Sequence, residues 1–332
     1  MICPLGDSNF SAADATRAQS VPLSLNMVEW DRRSPVLTHP GLPCLSSFHT
    51  LSLTAGCPSE CRYCYVERDS HYPGGETVSY YSNLLACLRE ELPRLREPPR
   101  VVYFSSSGEP FLAVDRILDD LYDIMKLLLD SGSELLITTL GVVQPRFAEL
   151  FTRYPGKVHV QIGMTTINDA IRQVIEPRAA SVEQRLGNLD LLLGSGVDTE
   201  VRMDPLIPGL TDTPESLNPF LAELARRGVK RAVASFLFQR KGVSLPPDLA
   251  WGDWTVREMK KYYTLKITDY CGKGTIWLPP ALYRRARYNE IKAQAALCGI
   301  GIRLCHCKNS DLTEECCHAA LPPEENFQMT LF

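Results

Sequence analysis

Six short runs rich in β-branched and other apolar residues alternate with longer amphipathic stretches through the middle of the chain, and this alternation restricts the fold more than any other feature. The runs are Leu51–Leu53, Val101–Phe104, Leu135–Thr138, Val158–Gly163, Thr199–Met203 and Arg231–Phe236. Helix-length stretches separate them at 77–97, 114–131, 144–153, 181–195 and 214–228, and Gly132, Gly194 and Gly228 stand where helices tend to end. Strands joined by helices run parallel, so the pattern predicts an α/β fold whose sheet curls into a partial or complete barrel. Functional groups then gather at the C-terminal ends of the strands. With 332 residues, 45% of them hydrophobic, the chain can fill a large core, which excludes disorder and collagen-like repeats.

The barrel is expected over 48–242. Residues 1–47, rich in Ser, Pro and Leu without a period, read as an irregular N-terminal extension. A basic, Cys-rich C-terminal region follows over 243–318, then an acidic tail over 319–332. No apolar run is long enough to span a bilayer, and no apolar signal core follows Met1-Ile2-Cys3-Pro4, so the expected compartment is the cytoplasm. In a reducing compartment the 12 cysteines point to metal or catalysis rather than disulfides.

The segment Gly56-Cys57-Pro58-Ser59-Glu60-Cys61-Arg62-Tyr63-Cys64 directly follows the first strand and spaces three cysteines as Cys-x3-Cys-x2-Cys. Three thiolates on one short loop can hold three irons of a [4Fe–4S] cluster and leave the fourth open as a binding site. A zinc loop is the alternative, but zinc sites are usually built from Cys-x2-Cys pairs with a fourth protein ligand nearby, which this loop lacks.

This spacing, with the aromatic Tyr63 just before the third cysteine, resembles the signature of the radical S-adenosylmethionine (SAM) superfamily. The resemblance covers about residues 48–240. It implies a partial (β/α)6 barrel, SAM chelating the open iron, reductive cleavage to a 5′-deoxyadenosyl radical, and an electron donor such as flavodoxin or ferredoxin. Ser106-Ser107-Gly108-Glu109-Pro110 after the second strand is similar to the family's Gly-Gly-Glu-Pro element, with Ser107 in place of the first glycine. The resemblance places SAM contacts on Tyr63 and, in this element, on Ser107, Gly108 and Glu109, and a glycine lets main chain approach a ligand closely. It places a polar ribose or carboxylate contact on Thr165 or Thr166, and adenine contacts on the stretch containing Arg202, Ile207, Pro208 and Gly209. A rigid strand-to-helix loop is the structural alternative for Ile207–Gly209.

Within the superfamily, Thr166-Ile167-Asn168, Ile175-Glu176-Pro177-Arg178, Arg185 and Pro205-Leu206-Ile207-Pro208-Gly209 resemble the spore photoproduct lyase-related group, often labelled DNA-repair photolyase-like. True spore photoproduct lyase carries a hydrogen-donating cysteine near the end of the second strand, whereas this chain has Ser105-Ser106-Ser107 there. Cys87, in the preceding helical pattern, reads as a buried apolar residue.

A second constellation, Cys305-His306-Cys307 and Cys316-Cys317-His318, is too dense for simple packing. It reads as an auxiliary [4Fe–4S] cluster or a zinc site. Cys305, Cys307 and one of Cys316 or Cys317 are the expected ligands, with the fourth from the other vicinal thiol, from Cys298 or from substrate. Residues 255–310 hold 11 basic and 3 acidic side chains, with Lys260-Lys261-Tyr262-Tyr263 and Tyr283-Arg284-Arg285-Ala286-Arg287-Tyr288 alternating cations and aromatics. Such a surface suits phosphates and bases, and an ordinary solvated helix with inward tyrosines is the alternative. The final Gln328-Met329-Thr330-Leu331-Phe332 resembles the pentapeptide by which bacterial repair proteins dock on the DNA sliding clamp, with Gln328, Leu331 and Phe332 as anchors. Three readings follow: a radical SAM enzyme acting on DNA or a nucleotide, one acting on a peptide or small molecule, and a non-catalytic Fe–S or zinc module that binds nucleic acid.

Overall fold

The computed structural model describes residues 25–64, 72–74, 77–104, 107–240, 245–268 and 274–318. Strands β1 (Asn26–Glu29), β2 (His49–Thr50), β3 (Thr54–Ala55) and β4 (Thr77–Tyr80) lead to helix α1 (Leu84–Glu91) and β5 (Val101–Phe104). The alternation then runs α2 (Asp115–Asp130), β6 (Glu134–Thr139), α3 (Pro145–Thr152), β7 (Val158–Gly163), α4 (Asp169–Ile175), α5 (Val182–Gly194), β8 (Asp198–Leu206), α6 (Pro214–Arg226) and β9 (Arg231–Phe236). The remainder comprises β10 (Gln239–Arg240), β11 (Ala250–Trp251), β12 (Trp254–Thr255), α7 (Val256–Lys260), β13 (Leu265–Thr268), β14 (Thr275–Leu278), α8 (Ala281–Leu297), β15 (Gly301–Leu304) and α9 (His306–Asn309).

Seven strands form one sheet in the order β15-β9-β8-β7-β6-β5-β2, every neighbouring pair parallel. Parallel neighbours need a crossover, and helices α2, α3, α5 and α6 supply four of them. The helix α2 shows why these stretches fold as they do. Its Ile117, Leu121, Ile124 and Leu128 recur at helical spacing and are buried against the sheet. A capping box closes the start of α5, Ser181 accepting the Gln184 N–H at 3.1 Å while the Gln184 side chain takes the Ser181 N–H at 2.9 Å.

Along the strands the side chains alternate between two faces. Val102, Leu135, Val160, Val201 and Ala232 enter the main core under the helices. Tyr103, Thr138, Gln161 and Arg202, an odd number of positions away along their strands, face a cavity on the inner side of the sheet. That inner face carries the site.

Two departures from the expected organisation have simple causes. The stretch 77–97 opens as strand β4, because Thr-Val-Ser-Tyr is β-favourable and the helical spacing starts only at Leu84. β4 pairs in parallel with β1, inside the stretch read as irregular, where three of the four β1 residues are exposed and leave no apolar pattern. After 242 the chain returns to the main sheet, where β15 lies at the edge beside β9.

Candidate active site

A cavity of about 1320 Å³, its open mouth included, lies against the inner face and is bounded by two groups of cysteines. Cys57, Cys61 and Cys64 form one wall, and Cys305, Cys307 and Cys317 another. Tyr103, Thr138, Gln161 and Arg202 lie between them on the strands.

The first group sits on the loop leaving β3. Gly56 turns the chain at φ 86°, and a Cβ there would stand 2.7 Å from the Thr77 carbonyl, so only glycine fits. The loop is fastened to the α4–α5 junction by the Arg62 N–H donating to Ile175 O at 2.8 Å and the Arg178 N–H donating to Ser59 O at 3.2 Å. The Tyr63 hydroxyl donates to Glu176, which pairs with Arg185 at 2.6 Å; the two charged side chains are 0% and 1% exposed. Arg185 also donates to Ala180 O at 2.9 Å and Gly163 O at 3.0 Å. The Glu176–Arg185 signature noted in the sequence is therefore a buried bracket under the three-cysteine loop. Burial, then the Glu176 charge, pushes the Cys61 thiol well up, and burial raises Cys57. A cation bound at the loop would reverse this by favouring the thiolates.

The Ser107–Glu109 element abuts the same loop. Ser107 donates to Thr54 O at 3.0 Å. A Cβ on Gly108 would meet Gly56 O at 2.9 Å and Thr54 Oγ1 at 3.1 Å, so this glycine lets two loops of the protein touch. Glu109 is buried, takes the Thr139 hydroxyl, and accepts N–H groups from Leu140 at 2.8 Å and Phe111 at 3.0 Å. Burial raises its pKa although these donors oppose the rise. Glu109 thus ties the exits of β5 and β6 together beside the cavity.

Thr165 and Thr166 are both buried beyond β7. Thr166 Oγ1 accepts the Asn168 N–H at 3.0 Å, whereas the Thr165 hydroxyl has no hydrogen-bond partner among the described residues. Arg202 lines the cavity, bound to Asp204 at 2.8 Å and Gln161 at 3.2 Å. The loop after β8, on which the adenine contacts are expected, is held by the protein's own side chains. The Ile207 N–H is taken by Thr211 at 2.8 Å, the Gly209 N–H by Asp212 at 2.6 Å, and the Pro208 carbonyl by the Trp254 indole at 3.0 Å. Ile207 is fully buried in an apolar cluster with Leu210 and Leu237. These bonds make the loop rigid.

At the second wall the structure brings Cys305, Cys307 and Cys317 together with Cys44, which the sequence reading did not single out. Cys44 lies on a single 3-10 turn at Pro43–Leu45, and only its distant position in the chain hid it. Cys298 does not join them: it caps the end of α8 and packs against the main core. Cys316 is exposed, beside Cys44, and is not one of the three cysteines whose sulfurs converge. The Cys305 bond opposes, but hydrogen bonds from Cys307 and Cys317 draw the Cys44 thiol down to about 6.

Part of the basic block is spent internally. Arg284 is fully buried, donating to Pro279 O at 2.9 Å and Asn309 at 2.9 Å and pairing with Asp311 at 2.6 Å. Arg287 binds Glu290 and the Asp212 carbonyl, and the Tyr288 hydroxyl donates to Asn309 at 3.0 Å. This is the inward arrangement, with Lys260, Lys261 and Arg285 left exposed. Ser105, Ser106 and the anchors Gln328, Leu331 and Phe332 lie outside the described residues. Among the described residues no helix is long and apolar enough to cross a membrane.

Comparison with known proteins bears on this geometry. A solved complex of spore photoproduct lyase with dinucleoside spore photoproduct superposes with a TM-score of 0.62 at 14% identity, covering 84% of this chain and 82% of that one, which is a likeness of fold. An uncharacterised protein of Acidianus two-tailed virus is 25% identical over 255 residues, 70% of this chain and 83% of its own length. A radical SAM Nalpha-GlyT isomerase of Pseudomonas phage M6 is 24% identical over 198 residues, of which this chain spans only 40% of the relative. Residues 51–218, half of the chain and the part that carries the three-cysteine loop, match the model of the Radical SAM superfamily, and the chain belongs to that superfamily.

Proposed function

We propose that this protein is a cytoplasmic radical SAM enzyme that holds a [4Fe–4S] cluster on Cys57, Cys61 and Cys64, binds SAM beside it, and acts on DNA or a nucleotide in lesion repair or modification. The carrying observation is the single cavity that has the three-cysteine loop, the Gly108–Glu109 turn and polar strand side chains on its walls. When bound, cluster and SAM supply reductive cleavage to a 5′-deoxyadenosyl radical, with electrons from a donor such as flavodoxin or ferredoxin. The donor set fits: three thiols on one loop leave an iron position free for SAM. The unpartnered Thr165 hydroxyl, two residues beyond the cavity-lining Gly163, would be satisfied by a polar group of that ligand. The C-terminal thiols would add an auxiliary cluster or a zinc ion.

The chain's own residues then have distinct tasks. Tyr63, Glu176 and Arg185 hold the loop in place, and Glu109 fixes the two strand exits beside it. Arg202 and Lys308, both held by Asp204, put two cations on the cavity wall, which suits a phosphate. Tyr103 and Phe238 supply flat apolar surface there for a base. The dinucleoside bound by spore photoproduct lyase, whose fold this chain shares, supports a nucleotide substrate. The serines in place of its hydrogen-donating cysteine argue for a reaction other than spore-lesion reversal. Docking of Gln328, Leu331 and Phe332 on a bacterial sliding clamp belongs to the same proposal.

A peptide or small-molecule substrate is the second reading, favoured by the internal use of Arg284 and Arg287, which shrinks the basic surface open to a duplex. Anaerobic protein reconstituted with iron and sulfide, then given dithionite and SAM, should release 5′-deoxyadenosine faster with a DNA oligonucleotide than without. Equal release with and without DNA would favour the second reading. Clamp docking is read separately: deleting residues 328–332 should abolish binding to a purified bacterial clamp and leave SAM cleavage intact.

A further inference from the structure

We infer that Cys44, Cys305, Cys307 and Cys317 form a closed tetrathiolate site for one zinc ion, and that this ion clasps the two edges of the open parallel sheet. The ligand atoms of Cys44, Cys305 and Cys317 all lie within 4.8 Å of one another. Among the described residues no other group of metal-ligating side chains converges so closely. Cys307 closes the fourth side, its sulfur accepting the Cys44 N–H at 3.2 Å and lining the same cavity wall as Cys305 and Cys317. Four sulfurs about 2.3 Å from one tetrahedral zinc must stand about 4 Å apart. A [4Fe–4S] cube takes each cysteine at a separate iron and needs its sulfurs wider than ligands to a single atom.

Burial points the same way. The four cysteines are 7%, 1%, 8% and 5% exposed in chain order, and four protein thiolates fill the coordination of a tetrahedral zinc ion without a substrate ligand, as in structural rather than catalytic zinc sites. The surrounding backbone is fixed as the partners of a metal site are. The Cys44 carbonyl bonds His318 Nε2 at 2.8 Å, Gln161 donates to Cys317 O at 2.6 Å, and Asn309 donates to Cys305 O at 3.0 Å. The Arg202 guanidinium, whose charge acts on Cys317, offsets part of the negative charge four thiolates keep around a divalent ion.

Topology supplies the role. Cys44 precedes β2, which is one edge of the seven-stranded sheet, and Cys305 directly follows β15, which is the other. A partial barrel leaves these edges unjoined by strand pairing. One ion bound to Cys44 on one side and to Cys305, Cys307 and Cys317 on the other joins them across the inner face, at the cavity wall. Cys316 is then a free, exposed thiol beside the site.

The test is metal content of the full chain, produced in medium containing zinc and iron. Wild type should carry one zinc per chain besides its iron. Cys57→Ala/Cys61→Ala/Cys64→Ala should keep the zinc, Cys44→Ser should lose it, and Cys298→Ser and Cys316→Ser should match wild type. Cobalt(II) substituted into the wild-type chain gives a second readout that does not depend on Cys44→Ser folding: intense visible bands and sulfur-to-metal charge transfer of a tetrahedral tetrathiolate. Acid-labile sulfide retained by the triple variant, full zinc in folded Cys44→Ser, or a cobalt spectrum without tetrahedral thiolate bands would each overturn the inference. None of these readouts depends on SAM cleavage, so this inference and the proposed radical chemistry fail separately.

Discussion

The two cysteine groups face one cavity but are assembled in opposite ways. Cys57, Cys61 and Cys64 occupy eight consecutive residues, and the fold's contribution is a bracket beneath them, Tyr63–Glu176–Arg185. Cys44, Cys305, Cys307 and Cys317 come from both ends of the described chain and meet only because β2 and β15 are the edges of one sheet. The causes acting on their thiols differ accordingly. Burial drives Cys61 up, whereas within the second group the neighbouring thiols decide: against the opposing bond from Cys305 they draw Cys44 down, and they push Cys307 up. A site confined to one loop leans on side chains that position it; a site drawn from distant segments is itself part of what holds the sheet.

Perturbing the bracket should therefore separate the two regions. Glu176→Gln leaves Arg185 buried without its counter-charge, and breaking a buried pair costs about 3–5 kcal/mol. Denaturant unfolding should show that loss, with iron bound at Cys57, Cys61 and Cys64 reduced and the second metal retained. Equal loss of both metals would erase the distinction. Gly56→Ala should cost about 1–3 kcal/mol, since its φ of 86° and a Cβ 2.7 Å from Thr77 O both resist a side chain. Its effect on iron loading should be smaller than that of Glu176→Gln but in the same direction.

On the other side, Gln161→Ala removes the donor to Cys317 O and leaves that buried carbonyl unpaired, for about 1–3 kcal/mol. It should weaken retention of the second metal against a chelator and leave iron unchanged. The smallest effect is on pH. Arg172 beside Asp169 holds its carboxyl at about 2, below its ordinary value of 3.8, so the pair's contribution is present above about pH 4 and is lost as pH falls toward 2. Asp169→Asn should lower stability near neutrality by less than about 1 kcal/mol, the carboxylate being partly exposed, and the two unfolding curves should converge below pH 4. A gap unchanged down to pH 2 would assign the effect to something other than this ion pair.

The same contrast sets how much could be read from residues alone. The central strands and helices were legible because each carries its own period: Val158–Gly163 and the stripe of α2 need no partner to announce themselves. The three-cysteine loop was legible for the same local reason. Cys44 was not, because a lone cysteine in a Pro- and Leu-rich stretch has no spacing to signal a metal, and its partners follow 261 or more residues later. Strand β1 was hidden by exposure, and β15 by its short length, Gly-Ile-Arg-Leu. Arg284 misled in the opposite sense, since a cation in a basic run gives no sign that Asn309 and Asp311 will bury it. Polar side chains lining the cavity, such as Thr138 and Gln161, were findable from strand alternation once the inner face was known.

The central claim is that the cavity's three-cysteine wall carries radical SAM chemistry independently of the second thiol site. It is tested most directly by comparing 5′-deoxyadenosine release from anaerobically reconstituted wild type with that from Cys57→Ala/Cys61→Ala/Cys64→Ala under dithionite and SAM. The account expects release by wild type and none above background by the triple variant, whose second metal stays bound. Release by the triple variant at the wild-type rate would contradict it.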